Sequence, residues 1–340
     1  MIHLLPLGSV AAESLWTAAR TVRALFGCHC EILPEVALPA FAYRPGRQQY
    51  DADELLDFLF DRLPMGVLRL VGLTEADLFA EGRNFVFGYA HLRDRVAVCS
   101  LTRLHERYWR RPNNDELMRS RLDKALAHEL GHTFHVPHCD NDKCVMHQVE
   151  FLWQLDELCP LYCDYCLRRT QTVASRPPSH PRVLFELAGS YMRRKRFEQA
   201  AATYAAAAAS DPRNSAYHND LGVALLAAGD KAGAARALRR SIELSPETAH
   251  PYYNLGIISY EEHDFVAADR YFSEALQRDD DPRTGARYLG VLHQDYFGDA
   301  ERARHYLRTC VSLGGGDSDV RRRLTVLETS RLLGNRDSDS

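Results

Sequence analysis

The residues best suited to metal chemistry are two histidines with a glutamate between them, in the run His128-Glu129-Leu-Gly-His132. Apolar residues at helical spacing over 115–134 predict that this run lies near the end of one helix. Histidines four residues apart lie on one face of a helix, one turn above the other, so both imidazoles can reach one zinc ion. Glu129 is then placed to act on a water activated by that ion rather than to bind the ion.

A catalytic zinc site needs a third ligand, and His135 and His138 are both candidates. A continuous helix through His135 would spread the three imidazoles over about 10 Å of rise, which is too far for one ion. The chain must therefore turn after His132, and Pro137 favours such a break because proline disfavours helix at the preceding residue. We expect His138 to be the third ligand, with the fourth position left for water, and His135 to be structural.

The cysteines indicate a second metal site. Five of the nine lie within 139–166. The start of the chain has no basic region, and Pro6 interrupts its apolar run, so no secretory signal is predicted. An odd number of cysteines without such a signal favours metal binding in a reducing cytosol over a disulfide framework. We therefore expect a cytoplasmic protein.

The histidine motif continues into a run of cysteines with a methionine among them, and the whole pattern resembles the archaemetzincin family of metzincin zinc peptidases. In full it is His128-Glu-x2-His132-x5-His138-Cys139-x4-Cys144-x-Met146-x16-Cys163-x2-Cys166. Segments at 47–52, 72–78 and 84–88 also look like that family. The resemblance covers roughly residues 1–170.

The resemblance implies two zinc ions per chain, one catalytic and one structural. The catalytic ion would be held by the three histidines above an apolar floor formed by Met146. The structural ion would be held by four thiolates, those of Cys139, Cys144, Cys163 and Cys166. Cys159 could compete for this ion, but the spacing of Cys163 and Cys166 is the tighter chelating one, so we expect Cys159 to be a buried apolar thiol. Because Cys139 follows His138 directly, the structural ion would also fix the third catalytic ligand.

The resemblance further implies that the segment 85–90 is one edge strand along which an extended peptide pairs. Its predicted substrate-binding residues are Phe85, Val86, Phe87 and Gly88.

One position departs from the metzincin pattern. Metzincins usually carry glycine three residues after the second histidine, where the chain makes a left-handed turn, and this chain has His135 there. A residue with a side chain costs on the order of 1 kcal/mol in that conformation, although histidine is among the better tolerated types. We expect the turn to form with some strain, and the departure leaves open altered or lost activity.

Charge and hydropathy exclude two classes of partner. Lys and Arg number 42 against 46 Asp and Glu, for a net charge of −4, whereas nucleic-acid and membrane-surface binding rest on a basic excess. No stretch approaches the roughly 20 apolar residues that a spanning helix needs. We expect neither a nucleic acid nor a membrane as partner.

The second half of the chain repeats with a period of 34 residues, which resembles tetratricopeptide (TPR) repeats. Leu187, Ala188 and Pro212 recur as Leu221, Gly222 and Pro246, and then as Leu255 and Gly256. Small residues are needed where the two helices of a unit cross closely, and proline ends the second helix. Asn219 and Asn254 fall near positions that line the peptide groove of such arrays. We expect a protein or peptide partner in this groove.

The first half alternates strands, predicted at 2–5, 67–70, 85–90 and 96–101, with helices at 51–63 and from Ser9 or Glu13 to about Phe26. The predicted fold is multi-domain, with an N-terminal α/β metzincin-like zinc peptidase domain and a C-terminal all-α TPR solenoid. The predicted boundaries are 1–170 for the peptidase domain, 171–181 for a Pro-rich linker, 182–316 for four repeats and 317–335 for a capping helix.

These features predict a zinc metallopeptidase. Glu129 would be the general base for a zinc-activated water, and the repeats would bind a protein or peptide. Internal and aminopeptidase-like cleavage both stay open. The alternative, motivated by His135, is a catalytically impaired metzincin-like protein that acts as a TPR binding scaffold.

Overall fold

The computed structural model describes residues 1–64, 66–92, 94–174, 180–279 and 282–334. The chain divides into two compact units, Met1–Ser190 and Tyr191–Ser340. The first unit mixes strands with helices and the second is helical, which confirms the predicted fold class.

Nine strands and five helices form most of the described part of the first unit. In chain order they are β1 (Ile2–Pro6), α1 (Ala12–Phe26), β2 (Cys30–Ile32), β3 (Tyr43–Arg44), β4 (Gln49–Asp51), α2 (Ala52–Phe60), β5 (Arg69–Thr74), β6 (Leu78–Ala80), β7 (Arg83–Val86), β8 (Gly88–Tyr89), β9 (Val96–Ser100), α3 (Asp115–Thr133), α4 (Leu152–Glu157) and α5 (Asp164–Ala174). Short 3₁₀ helices occur at Ala40–Ala42, Thr102–Leu104 and Glu106–Trp109.

A five-stranded sheet in the order β2-β1-β5-β9-β8 forms the centre of this unit. Its strands are parallel except β8, which pairs antiparallel with β9 at the edge. Every residue of β1, β5 and β9 is buried, as expected for parallel strands covered on both faces. Helices α1 and α3 share a core with one face, and Leu59 of α2 contacts the other face at Gly72.

The first unit also contains a second, four-stranded sheet in the order β3-β4-β6-β7, which was not predicted from the sequence. The three predicted helices are confirmed as α1, α2 and α3; α1 begins at Ala12, and α2 ends at Phe60 rather than at 63. The predicted strand at 67–70 begins later, at Arg69, and runs to Thr74. The prediction of one strand over 85–90 is wrong, because β7 ends at Val86 and belongs to the small sheet, whereas β8 belongs to the large one.

The repeats consist of helix pairs. The helices are α6 (Pro181–Arg193), α7 (Phe197–Ser210), α8 (Ser215–Ala227), α9 (Lys231–Leu244), α10 (His250–Glu261), α11 (Phe265–Leu276), α12 (Arg283–Leu292), α13 (Ala300–Ser312) and α14 (Ser318–Gly334), with a π-helical turn at His293–Phe297. The division between the two units falls within α6, after Ser190.

The 34-residue period has a packing cause. A Cβ added to Gly222 would come 2.6 Å from Leu238, and one added to Gly256 would come 2.5 Å from Phe272. A Cβ on Gly290 would likewise come 2.6 Å from Leu307. Each glycine therefore lets the two helices of its pair approach, and its large partner fills the space beside it.

The predicted linker coincides in part with a helix, and the predicted capping segment is helical. Residues 171–174 belong to α5, and residues 175–179 lie outside the described residues. Over the predicted capping segment, α14 packs Val320 and Leu327 into a core shared with Leu307. The domain boundaries stay predictions. None of the described helices is both long and apolar enough to cross a membrane.

Candidate metal centre

Helix α3 carries His128, Glu129 and His132 in its last two turns. Its first turn is capped by Asn114, whose side chain accepts a hydrogen bond from the N–H of Leu117. Helix α3 packs on the central sheet, so the backbone that carries these histidines is fixed by the core of the first unit.

The helix ends at a left-handed turn centred on His135, where φ is 69°. The N–H of His135 donates to the carbonyl of His132, and the N–H of Val136 donates to the carbonyl of Gly131. These paired bonds define a Schellman motif, in which the left-handed residue is usually glycine. The predicted turn after His132 is therefore present, with histidine in the glycine position.

His138 lies beyond this turn and faces the two helical histidines. Its ring centroid is 5.3 Å from that of His128 and 4.8 Å from that of His132. One nitrogen from each of the three rings lies within 4.8 Å of the others, and His135 is not part of this group. The structure thus brings together the three histidines singled out from the sequence.

Backbone hydrogen bonds fix which nitrogen of each helical histidine faces inward. Nδ1 of His128 donates to the carbonyl of Val145 at 2.8 Å, and Nδ1 of His132 donates to that of Val136 at 2.9 Å. Nε2 then carries no proton on either ring, and the two Nε2 atoms lie 3.1 Å apart. Two nitrogens bound to one tetrahedral zinc ion lie about 3.4 Å apart, so the donor set and its spacing fit zinc.

Burial keeps these imidazoles neutral. Burial, aided by the charge of His132, lowers the pKa of His128 to about 3, and burial lowers the pKa of His132 to about 4. Burial and the charge of Arg83 also lower the pKa of His138. Neutral imidazole is the form that binds metal, so protons compete weakly for this site at neutral pH.

Glu129 is 7 % exposed and packs directly against Gly88 of β8. A Cβ added to Gly88 would come 2.8 Å from Oε1 of Glu129, so glycine is required for this approach. Burial raises the pKa of Glu129 to about 8, against the opposing charge of Arg83.

The close approach of Glu129 and Gly88 gives a testable prediction. Gly88→Ala displaces the carboxylate, and we expect kcat for the peptide hydrolysis predicted from the sequence to fall about 100-fold, with the zinc content unchanged. The matched control is Gly46→Ala, because a Cβ there meets no atom within 4 Å. A kcat within threefold of the unsubstituted protein would show that the position of Glu129 tolerates the extra methyl group.

A cavity of about 580 Å³ opens over the three histidines and Glu129. The predicted substrate-binding residues Phe85, Val86, Phe87 and Gly88 all line it. Sequence reasoning missed other lining residues because no motif or spacing marks them: Arg83, Gln148, Glu150 and Phe151.

Met146 lies beneath the end of α3. It is fully buried, in one cluster with Ala127 and Val136. A Cβ added to Gly131 would come 3.0 Å from Cε of Met146, so the methionine fills the space directly against the helix backbone. This position agrees with an apolar floor below the histidines.

The four cysteines of the predicted structural site also converge. The sulfur atoms of these four residues all lie within 4.8 Å of one another: Cys139, Cys144, Cys163 and Cys166. The sulfurs of Cys139 and Cys163 are 3.8 Å apart, which matches the roughly 3.8 Å between thiolates on one tetrahedral zinc ion. The prediction that Cys159 is buried is wrong, because its side chain is exposed, and it lies outside this group.

Hydrogen bonds favour the thiolate form at one of these cysteines. The backbone N–H of Cys166 is the main cause that lowers the pKa of Cys163 to about 7. Burial raises the pKa of Cys144. A bound metal ion must therefore displace protons from buried thiols as it binds.

The two clusters are joined through the backbone. The N–H of Cys139, next to His138, donates to the carbonyl of Met146 at 2.9 Å. Nδ1 of His147 donates to the carbonyl of Cys139 at 2.9 Å. His147 had no assigned role from the sequence, and it holds the residue that follows the third histidine.

Comparisons with known protein families agree with this geometry. The family described as peptidase family M54 matches residues 35–172. The tetratricopeptide repeat family matches residues 168–215, 185–249 and 219–283.

Individual relatives agree with the first of these two family matches. The chain is 36% identical over 177 residues to an archaemetzincin from Pyrococcus furiosus, covering 50% of this chain and 92% of that protein. It is 34% identical over 170 residues to an archaemetzincin from Methanocaldococcus jannaschii, covering 50% of this chain and 92% of that protein. A crystal structure of archaemetzincin from Methanopyrus kandleri matches at 33% identity, 52% of this chain, 95% of that chain and a TM-score of 0.46.

Proposed function

The chain belongs to the archaemetzincin family of zinc peptidases, and from this premise we propose that its first unit hydrolyses peptide bonds with Glu129 as general base. The observation that carries the proposal is the convergence of three neutral imidazoles beside a buried carboxylate in an open cavity. His128, His132 and His138 would hold the catalytic zinc ion.

The chain's own residues account for the proton transfers. Glu129 accepts a proton from the water that attacks the scissile carbonyl carbon, and it gives a proton to the amine nitrogen as the carbon–nitrogen bond breaks. A zinc ion bound by the three imidazoles would polarise the carbonyl, acidify the attacking water and favour the ionised form of Glu129. The absence of a side chain at Gly88 permits the close approach of Glu129 to β8.

The substrate is proposed to lie along β8. This strand is the edge of the five-stranded sheet and lines the cavity together with Phe85, Val86 and Phe87. An extended peptide can add to such an edge through backbone hydrogen bonds. An aminopeptidase-like activity would need an acidic group for the substrate's terminal ammonium, and Glu150 lines the cavity and is exposed. Comparing free with N-acetylated peptides separates the two forms of cleavage.

A second zinc ion, bound by the four clustered cysteines, is part of the proposal. Thiols must be reduced to bind it, which supports a cytoplasmic setting. The tetratricopeptide match supports a protein or peptide partner for the repeats. In the described array, Nδ2 of Asn254 on α10 donates to Oδ1 of Asn219 on α8 at 3.4 Å, so these two amides would offer adjacent contacts to that partner.

Metal removal tests the proposed function. We expect a chelator to abolish hydrolysis of fluorogenic peptides at neutral pH and added zinc to restore it. His138→Ala should lose activity and one of two zinc ions by elemental analysis, whereas His305→Ala, at an exposed site in the second unit, should retain both. Hydrolysis that survives chelation would contradict the mechanism. Two bound ions with no hydrolysis would favour the scaffold alternative.

A further inference from the structure

The left-handed turn at the end of α3 carries a histidine whose side chain has no part in the metal cluster. His135 is 6 % exposed, and its ring is directed into the protein. The backbone conformation there, with φ of 69°, is one that glycine adopts freely and histidine adopts only with strain. Something must therefore stabilise His135 in a position where most metzincins need no side chain.

The partner of His135 is a glutamate on α6. Nε2 of His135 lies 2.9 Å from Oε2 of Glu186, whose side chain is 7% exposed. The other carboxylate oxygen, Oε1, lies 3.1 Å from Nε of Arg182. Burial by itself would raise the pKa of Glu186, but its contacts with His135 and Arg182 outweigh burial and lower it. The carboxylate is therefore held in its charged form against the turn.

Two further arginines hold the backbone of the same turn. Nε and Nη2 of Arg69 on β5 both donate to the carbonyl of Thr133, at 3.1 and 2.6 Å. Nη2 of Arg169 on α5 donates to the carbonyl of His135 at 3.1 Å. Among the described polar contacts of this turn, only that of Glu186 is made to the side chain of His135 itself.

We propose that Glu186 is a positioning residue for the catalytic zinc site: through His135 it stabilises the left-handed turn that carries His138 to the other two histidines. This inference rests on the proposed function. The match to peptidase family M54 ends at residue 172, so Glu186 lies beyond it, on a helix matched by the tetratricopeptide family. The first ten residues of α6 belong to the same compact unit as the metal centre. The substitution of glycine by histidine thus makes the zinc site depend on this helix.

The test uses a double-mutant cycle in the full-length chain. The zinc dissociation constant of the three-histidine site is measured by competition with a chromophoric chelator. Cobalt absorption distinguishes this site from the thiolate site. Glu186→Ala should weaken zinc binding about 10- to 100-fold, the usual effect of removing a residue that orients a metal ligand. His135→Gly should stay within about threefold of the unsubstituted protein, because glycine needs no support in this conformation.

The decisive comparison is Glu186→Ala in the His135→Gly background, where we expect less than a twofold further change. An equal loss in both backgrounds would overturn the proposal, because Glu186 would then act through the packing of α6 in general. So would zinc binding by Glu186→Ala alone that stays within twofold of the unsubstituted protein.

Arg182→Ala is the matched control, since it removes the other contact of the same carboxylate but leaves the contact with His135, and it should weaken zinc binding less than Glu186→Ala does. A loss as large as that of Glu186→Ala would count against the proposal. If Glu186→Ala does not fold, Glu186→Gln gives the same comparison of backgrounds. An intact protein without zinc at the three histidines would instead refute the proposed function, before any variant is compared.

Discussion

Glu129→Gln is expected to reduce peptide hydrolysis by a factor of 100 to 10,000 or more while both zinc ions stay bound. The substitution removes the proposed proton acceptor but none of the proposed metal ligands, and general-base catalysis contributes roughly 10²–10⁴ to enzymatic rates. Glutamine has nearly the same shape, so the packing of this side chain against Gly88 is kept.

The same substitution should stabilise the metal-free protein. Burial raises the pKa of Glu129 from its usual 4.5 to about 8 in the folded chain. Below pH 4.5 the carboxyl is neutral in both the folded and the unfolded chain, so its burial does not lower the free energy of unfolding through ionisation. Between pH 4.5 and 8 only the unfolded chain loses this proton, so the free energy of unfolding falls by about 1.4 kcal/mol per pH unit. At pH 7 the cost is about 3 kcal/mol, and glutamine avoids it.

Urea unfolding of chelator-treated protein between pH 4 and 8 measures this effect. The stability gained by Glu129→Gln should grow with pH over that range and vanish near pH 4. Glu150→Gln is the control, because Glu150 lines the same cavity at an exposed position. An unchanged hydrolysis rate would refute the role of Glu129. A pH-independent gain in stability would mean that the carboxyl is solvated rather than buried.

The candidate site could be predicted to the extent that its residues are close in the sequence. Two expected ligands one helical turn apart, a proline that disfavours further helix and a third histidine beyond it together indicate a local geometry. His135 shows how far such reasoning reaches: the left-handed turn was expected from the glycine pattern and is present, with φ of 69°. The partner of its side chain, Glu186, lies 51 positions further along the chain, has no local signal and emerges only from tertiary packing.

The fold shows the same division between local and distant information. The helices and the repeat were predictable because their periodicity lies within short windows, and each pairing of Gly222, Gly256 or Gly290 with a large residue spans only 16 or 17 positions. The four-stranded sheet has strands of two to four residues, which are too short for any alternation to be visible. The split of the segment 85–90 into β7 and β8 depends on partners in two different sheets, so a pattern of apolar residues could not reveal it.

Cys163→Ser is expected to destabilise the first unit and to weaken zinc binding at both proposed sites. Loss of one thiolate from a four-sulfur site removes much of the binding free energy that a structural zinc ion adds to folding. The effect should be on the order of 4 kcal/mol or more, within the class of mutations that remove a bound metal. It should reach the catalytic site, because Cys139 is next to His138 and Val145, next to Cys144, accepts the hydrogen bond that orients His128.

Cys159→Ser separates loss of the site from loss of a thiol, because Cys159 is exposed, lies four residues before Cys163 and stands outside the cluster. It should keep two zinc ions, full stability and full activity. If Cys163→Ser lost one zinc ion but kept peptide hydrolysis and the affinity of the three-histidine site, the two clusters would be independent despite their shared backbone. If both variants behaved alike, the second metal site would not involve Cys163. A selective loss of both ions in Cys163→Ser would mean that the thiolate site keeps the segment that carries His138 in place for catalysis.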